Sequence, residues 1–152
     1  MPEEQSPTPP PVQPSTPAQP PPPSVAPAPP PGSPESQART WNMLCHLSAL
    51  AGFIIPFGSI LGPLLVWQIK KNEIPSVIVH GKAALNFQIT VVIAVFVSLV
   101  LGALLSVICI GVLFFILAGA IGLAGLIFAI VAGIKANDGK DYQYPYSLTL
   151  VK

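Results

Sequence analysis

The chain is 152 residues long, 51% hydrophobic and only 9% charged, with a net charge of +1. So weak a charge leaves no electrostatic footprint for nucleic acid. The averages hide a division: residues 1–40 hold 16 of the 20 prolines and no aromatic residue, while residues 41–152 hold nearly all the Leu, Ile, Phe and Gly.

Residues 1–40 read as a disordered proline-rich tail. Runs such as Pro9-Pro10-Pro11 and Pro20-Pro21-Pro22-Pro23 remove amide donors and favour extended polyproline II over helix or sheet. The Ala, Ser, Gln and Thr between them supply nothing to pack. A charged n-region followed by an apolar h-region is missing, so the start does not read as a secretory signal. The spacings Pro11 to Pro14 and Pro17 to Pro20 admit a partner with an aromatic groove for Pro-rich motifs. A plain spacer is the preferred reading, because such spacings arise by chance at this proline density.

Residues 41–152 read as an all-α membrane domain of about three transmembrane helices. The first apolar segment, about 43–69, is bracketed by Trp41 and Trp67 and closed by Lys70 and Lys71, as interfacial anchors bracket a span. Pro56-Phe57-Gly58 must kink or break it. A single crossing kinked at Pro56–Gly58 is preferred; two half-helices that dip in and return are the alternative, which needs protein cover. His46 sits near the edge of this segment and reads as structural before catalytic or metal-binding. Cys45 and Cys109 read as small buried hydrophobes, and Cys45-His46 alone is no zinc site.

Residues 70–82 form a polar loop with three lysines, cytoplasmic by the positive-inside rule. From Ala83 to Ile134 run 52 residues without one Asp, Glu, Lys, Arg or His. A crossing takes roughly 20 apolar residues, so this run predicts two spans, about 84–106 and 111–134, with a tight uncharged turn between them. Near its start, Lys82, Asn86 and Thr90 fall on one helix face, with Gln88 roughly opposite. With His46 and His80 they form the candidate polar patch: packing contacts, or the lining of a path.

In the last span Ala118, Gly122, Gly125, Ala129 and Gly133 make a stripe of small residues, and Gly58-xxx-Gly62 offers a second close-approach site. In lipid such faces let helix backbones meet. Residues 135–152 leave the helix through Asn137-Asp138-Gly139, a turn signal. Tyr142, Tyr144 and Tyr146 suit the interface, and Ser147–Val151 alternates as an extended segment on the membrane surface would. This end is predicted on the same cytoplasmic side as residues 70–82.

Several landmarks coincide in His46-Leu47-Ser48-Ala49-Leu50, Ile55-Pro56-Phe57-Gly58, Leu61-Gly62-Pro63, His80-Gly81-Lys82 with Ala84-Leu85-Asn86-Phe87-Gln88, Lys135-Ala136-Asn137 and Tyr144-Pro145. On them, residues 41–152 resemble a group of small bacterial and archaeal membrane proteins of unknown function. That group is regarded as distantly similar to the chloroplast import component of the Tic-twenty type. The group usually carries an acidic residue before the His-Gly-Lys motif, where Val77 and Val79 stand here. The resemblance implies a multi-pass membrane protein and no established activity.

The predicted function is that of a non-enzymatic multi-pass protein of the cell membrane, without cofactor, metal or catalytic residue. It would act by packing into homo-oligomers or onto a membrane-protein partner, with the lipid bilayer as its surroundings. The alternative is a channel, transport or protein-translocation component with a path near Asn86, Gln88 and Thr90. No ionisable residue lies within 83–134, where coupled transporters usually place one. No Gly-x-Ser-x-Gly or His-Glu-x-x-His arrangement occurs.

Overall fold

The computed structural model describes residues 28–152; the tail expected over residues 1–27 lies outside them. The described residues form four α-helices and no strand: α1 over Pro34–Leu47, α2 over Gly58–Lys70, α3 over Ser76–Leu105 and α4 over Gly111–Asn137. A 3₁₀ helix, Ser48–Phe53, continues α1, and a 3₁₀ turn, Ser106–Ile108, ends α3.

Helix begins earlier than the proline count suggests. Residues 34–40, expected in the tail, are the first half of α1. Ser33 caps it, its hydroxyl accepting from the Ser36 amide at 3.2 Å. Pro34 needs no donor in the first turn, and Glu35 faces the positive end of the helix dipole.

The helices α3 and α4 are long and apolar enough to cross a membrane. They pack antiparallel through a tight turn in which Cys109 takes a left-handed φ of 62°. Gly111 lies so close to the Gly102 carbonyl that no side chain fits there. The turn falls where the sequence predicts it, but Cys109 is exposed on it rather than buried. Large apolar side chains, among them Leu104, Leu113, Ile116 and Ile127, stand exposed around the pair. An apolar surface of this extent fits lipid, not water.

The first apolar segment departs from the preferred expectation of one kinked crossing over 43–69. It is a helical hairpin. Leu47 packs on Gly133 of α4, and the chain then reverses at Ile54–Phe57, where Phe57 takes φ 61°. Gly58 and Gly62 of the returning α2 press against the carbonyls of Ala51 and Ser48, where any Cβ would collide. Farther along, α2 sets Trp67 on Gly81, and its last turn places Lys70 Nζ 4.8 Å above the Trp41 ring. Both outer ends of the hairpin therefore lie beside the start of α3 and the end of α4. Its tip stands level with Val92–Phe96 and Gly122–Leu126.

The reversal has a physical cause in Pro56-Phe57-Gly58. Pro56 has no amide to continue a helix, and Gly58 has no side chain to hold the returning strand of chain away. The reversing backbone is satisfied within itself: Ile54 and Ile55 amides donate to Ala51, and the Gly58 amide donates to Ile55. The missing cover that weighed against a re-entrant form comes from α1, which starts at Pro34, and from α4 beneath it. Two crossing-length helices remain where three spans were expected.

Residues 138–152 also depart from expectation. They do not lie free along a surface but fold back onto α3, as the site geometry shows.

Candidate functional site

The candidate polar side chains of the apolar domain divide into three places. His46 and His80 meet at the buried junction of α1, α3 and the C-terminal segment. Asn86 and Thr90 face that segment two turns farther along α3. Gln88 faces away, toward the hairpin tip. Lys82 is half-buried near the outer end of α3, and no ion pair engages it among the described residues.

At the junction, His46 is fully buried and His80 is 4% exposed. The Tyr144 hydroxyl lies 2.8 Å from His46 Nδ1, and His46 Nε2 lies 3.1 Å from His80 Nδ1. His80 Nε2 is 3.3 Å from a carboxylate oxygen of Asp141, itself 77% exposed. With both rings neutral, these contacts admit one arrangement of protons. A carboxylate only accepts, so His80 Nε2 carries the hydrogen and its Nδ1 accepts from His46 Nε2–H. His46 Nδ1 is then an acceptor, and Tyr144 donates to it. The result is a one-way chain of hydrogen bonds, Tyr144 to His46 to His80 to Asp141, between neutral rings.

The chain ties three elements together. Tyr144 also stacks on Phe87 of α3, centroids 3.9 Å apart and planes 12° apart. Burial pushes its hydroxyl well above the usual tyrosine range, with Tyr142 and Cys45 adding to the effect. Cys45 is itself buried, its thiol 4.0 Å from the Val77 carbonyl.

Asn86 acts as a clamp on the last residues. Its Oδ1 accepts from the amides of Leu150 at 2.9 Å and Val151 at 2.6 Å, and its Nδ2 donates to the Val151 carbonyl at 3.1 Å. Thr90 Oγ1 donates to the Asn86 carbonyl at 2.7 Å and accepts from the Leu148 amide at 3.0 Å. A side-chain amide thus does for residues 150 and 151 what a neighbouring strand would do, pairing two backbone donors and one carbonyl.

The packing glycines divide as well. Gly58 and Gly62 close the hairpin; Gly125 meets Val91 and Gly133 meets Leu47, while Ala118 and Ala129 are buried on the same stripe. At Gly122 the stripe stands open, with nothing within 4 Å of the site of a Cβ.

The sequence reading missed Tyr144, Asp141 and the backbone of residues 148–151. The signal available was Tyr144-Pro145 within the resemblance, a tyrosine whose ring is too apolar and whose hydroxyl too polar for a free tail. Among the described residues, no group of three or more His, Cys, Asp or Glu side chains is placed to hold a metal ion.

Comparison of the chain with curated proteins and with solved structures gives no match in either set. A family model does match, over residues 37–151, which run from the first turn of α1 through α4 and the clamped C-terminal segment. The match bears out a small membrane-protein family and does not extend to the Tic-twenty likeness: the chain belongs to the magnetosome magnetite crystal formation protein family (MamF/MmsF).

Proposed function

We propose that the chain is a non-enzymatic, multi-pass integral membrane protein that serves magnetite crystal formation as a packed element of its membrane. The observation that carries this reading is the use of its polar side chains. His46 and His80 hold Tyr144 and Asp141, while Asn86 and Thr90 hold Leu148, Leu150 and Val151. These groups support a fold and leave a path through α3 unlined. Outward, the molecule offers an apolar girdle and one ionic end.

That ionic end has a topology to suit. Lys70, Lys71, Lys82, Lys135 and Lys140 cluster where both ends of the hairpin meet the outer ends of α3 and α4, while the opposite turn, Ser106–Ile110, carries no charge. By the positive-inside rule the lysine end is cytoplasmic. The hairpin then enters the bilayer from that side and returns, α3 and α4 cross, and the start of α1 and the C-terminal segment share the lysine side. Self-association or partner binding runs through the exposed faces of α3 and α4.

The channel or translocation alternative, and with it the Tic-twenty likeness, draws on Asn86, Gln88 and Thr90 as a path. Two of those three are bonded to the chain's own backbone. The deciding experiment replaces Asn86 and Gln88 by Leu in protein reconstituted in liposomes. Unchanged ion and solute flux, with loss of cross-linked assemblies or of normal magnetite crystals in a complemented deletion strain, supports the packing role. A flux in the parent protein that the variants abolish overturns it.

A further inference from the structure

Between the hairpin tip and the α3–α4 pair lies a cavity of about 390 Å³. That is the size of a small-molecule site, for which roughly 300–1,000 Å³ is usual. Its walls are apolar, with Val92, Val95, Phe96 and Leu126 among them, and no charged side chain lines it. Two neutral polar groups do, the Gln88 amide and the Ser59 hydroxyl. Gln88 is only 6% exposed, and neither side chain has a hydrogen-bond partner among the described residues. An amide that opens onto apolar surroundings costs free energy until something bonds to it.

The cavity exists because the small-residue stripe of α4 stands off at one point. Gly125 is filled by Val91 and Gly133 by Leu47, but Gly122 faces open space. The hairpin tip roofs that opening instead of filling it. Gln88 lies about 18 Å along α3 from Ser76 at 1.5 Å per residue, so the cavity sits at the depth of acyl chains.

We propose that this cavity is a binding site for an uncharged lipid, with a hydrocarbon chain along the Gly122 opening and a hydroxyl or ester head bonded to Gln88 and Ser59. The lining selects the ligand. A phospholipid head would bring charge to a wall with no counter-charge. A helix from a second copy, about 10 Å across, would find room here for no more than about one turn. A neutral lipid satisfies both the apolar walls and the two waiting polar groups. The inference rests on the membrane placement proposed above.

The test uses full-length protein in phosphatidylethanolamine–phosphatidylglycerol vesicles, with flotation confirming insertion. Photolabelling is compared between a diacylglycerol bearing a diazirine on one chain and a phosphatidylglycerol bearing the same chain. Saturable labelling of residues 88–99 and 122–129 by the diacylglycerol, exceeding that by the charged probe, is the expected result. Gly122→Leu fills the opening without collision and should abolish the saturable part. Gln88→Leu should weaken it roughly fivefold, the worth of one hydrogen bond. Gly119→Leu, likewise in open space but outside the cavity, should change nothing. Equal, unsaturable labelling by both probes, or labelling indifferent to Gly122→Leu, overturns the proposal. Failure to float would instead count against the membrane placement.

Discussion

His46 Nε2 and His80 Nδ1 lie 3.1 Å apart with the ring planes at 84°, so that one imidazole N–H points at the lone pair of the other. Each ring has its remaining nitrogen engaged, by Tyr144 and by Asp141. No member of the row can be removed without leaving a buried neighbour unpaired.

Replacing His46 by Phe should therefore cost more than its own hydrogen bonds. The Tyr144 hydroxyl and His80 Nδ1 both lose their partner, and each unsatisfied buried group costs about 1–3 kcal/mol. Tyr144→Phe removes one donor and leaves one acceptor open, for about half that penalty. Denaturant unfolding in detergent, followed by tryptophan fluorescence, should rank the parent above Tyr144→Phe and Tyr144→Phe above His46→Phe. The reverse order would contradict the chain. Nitrogen NMR should find the proton on Nε2 of both rings.

Alkaline conditions act on the same junction through Tyr144. Its hydroxyl is raised above the ordinary value of 10.0 by burial, so the folded protein favours the neutral form. The contribution is fully present below pH 10 and is lost as the pH climbs beyond it, because the unfolded chain then ionises first. The unfolding midpoint should fall through that range in the parent protein. In Tyr144→Phe that part of the fall should be missing; an equal fall in both would assign it elsewhere.

Asn86 makes three hydrogen bonds to residues 150 and 151. Asn86→Leu keeps the volume and removes all three, at about 1 kcal/mol each. The amides of Leu150 and Val151 should then exchange with deuterium at least tenfold faster, while those of the α4 core stay protected. Leu148, held by Thr90, should respond less than its neighbours. Exchange unchanged at 150 and 151 would mean the clamp does not hold the segment in solution.

Much of this architecture was legible in the residues. The uncharged run Ala83–Ile134 is long enough for two helices and no more, and its turn at Ser106–Gly111 follows from length alone. The hairpin was harder. Pro56-Phe57-Gly58 announces a break, but whether a break kinks a helix or reverses it depends on what lies beside it. That was decided by Gly58 and Gly62 meeting the carbonyls of Ala51 and Ser48, a contact between segments that no local pattern displays. Ser33-Pro34-Glu35 was readable as a helix start and was masked by the prolines around it. The candidate site was only half visible. His46, His80, Asn86 and Thr90 stood out as polar residues in apolar sequence, but their partners are Tyr144, Asp141 and a stretch of backbone more than 50 residues away. Hydrogen-bonding partners set by tertiary return of the chain leave no periodic trace.

The hairpin gives a sidedness that a kinked crossing does not. With both its ends beside the lysine-rich ends of α3 and α4, Gln37, Asn72 and Lys140 lie at one end of the molecule, and Cys109, on the turn after α3, lies at the other. Cys45 is buried and should not react with a membrane-impermeant maleimide. In oriented vesicles, variants Gln37→Cys, Asn72→Cys and Lys140→Cys, each also carrying Cys109→Ser so that the new thiol is the one accessible cysteine beside buried Cys45, should label from the same face. The parent Cys109 should label only when the other face is exposed. If Gln37→Cys sides with Cys109 instead, the first segment crosses the bilayer once, the contacts of Gly58 with Ala51 and of Gly62 with Ser48 do not form in the bilayer, and the cavity under the tip disappears with them. Labelling of Gln37→Cys together with Asn72→Cys fixes a segment that enters and leaves by one face, held there by Phe57 and the two glycines that follow it.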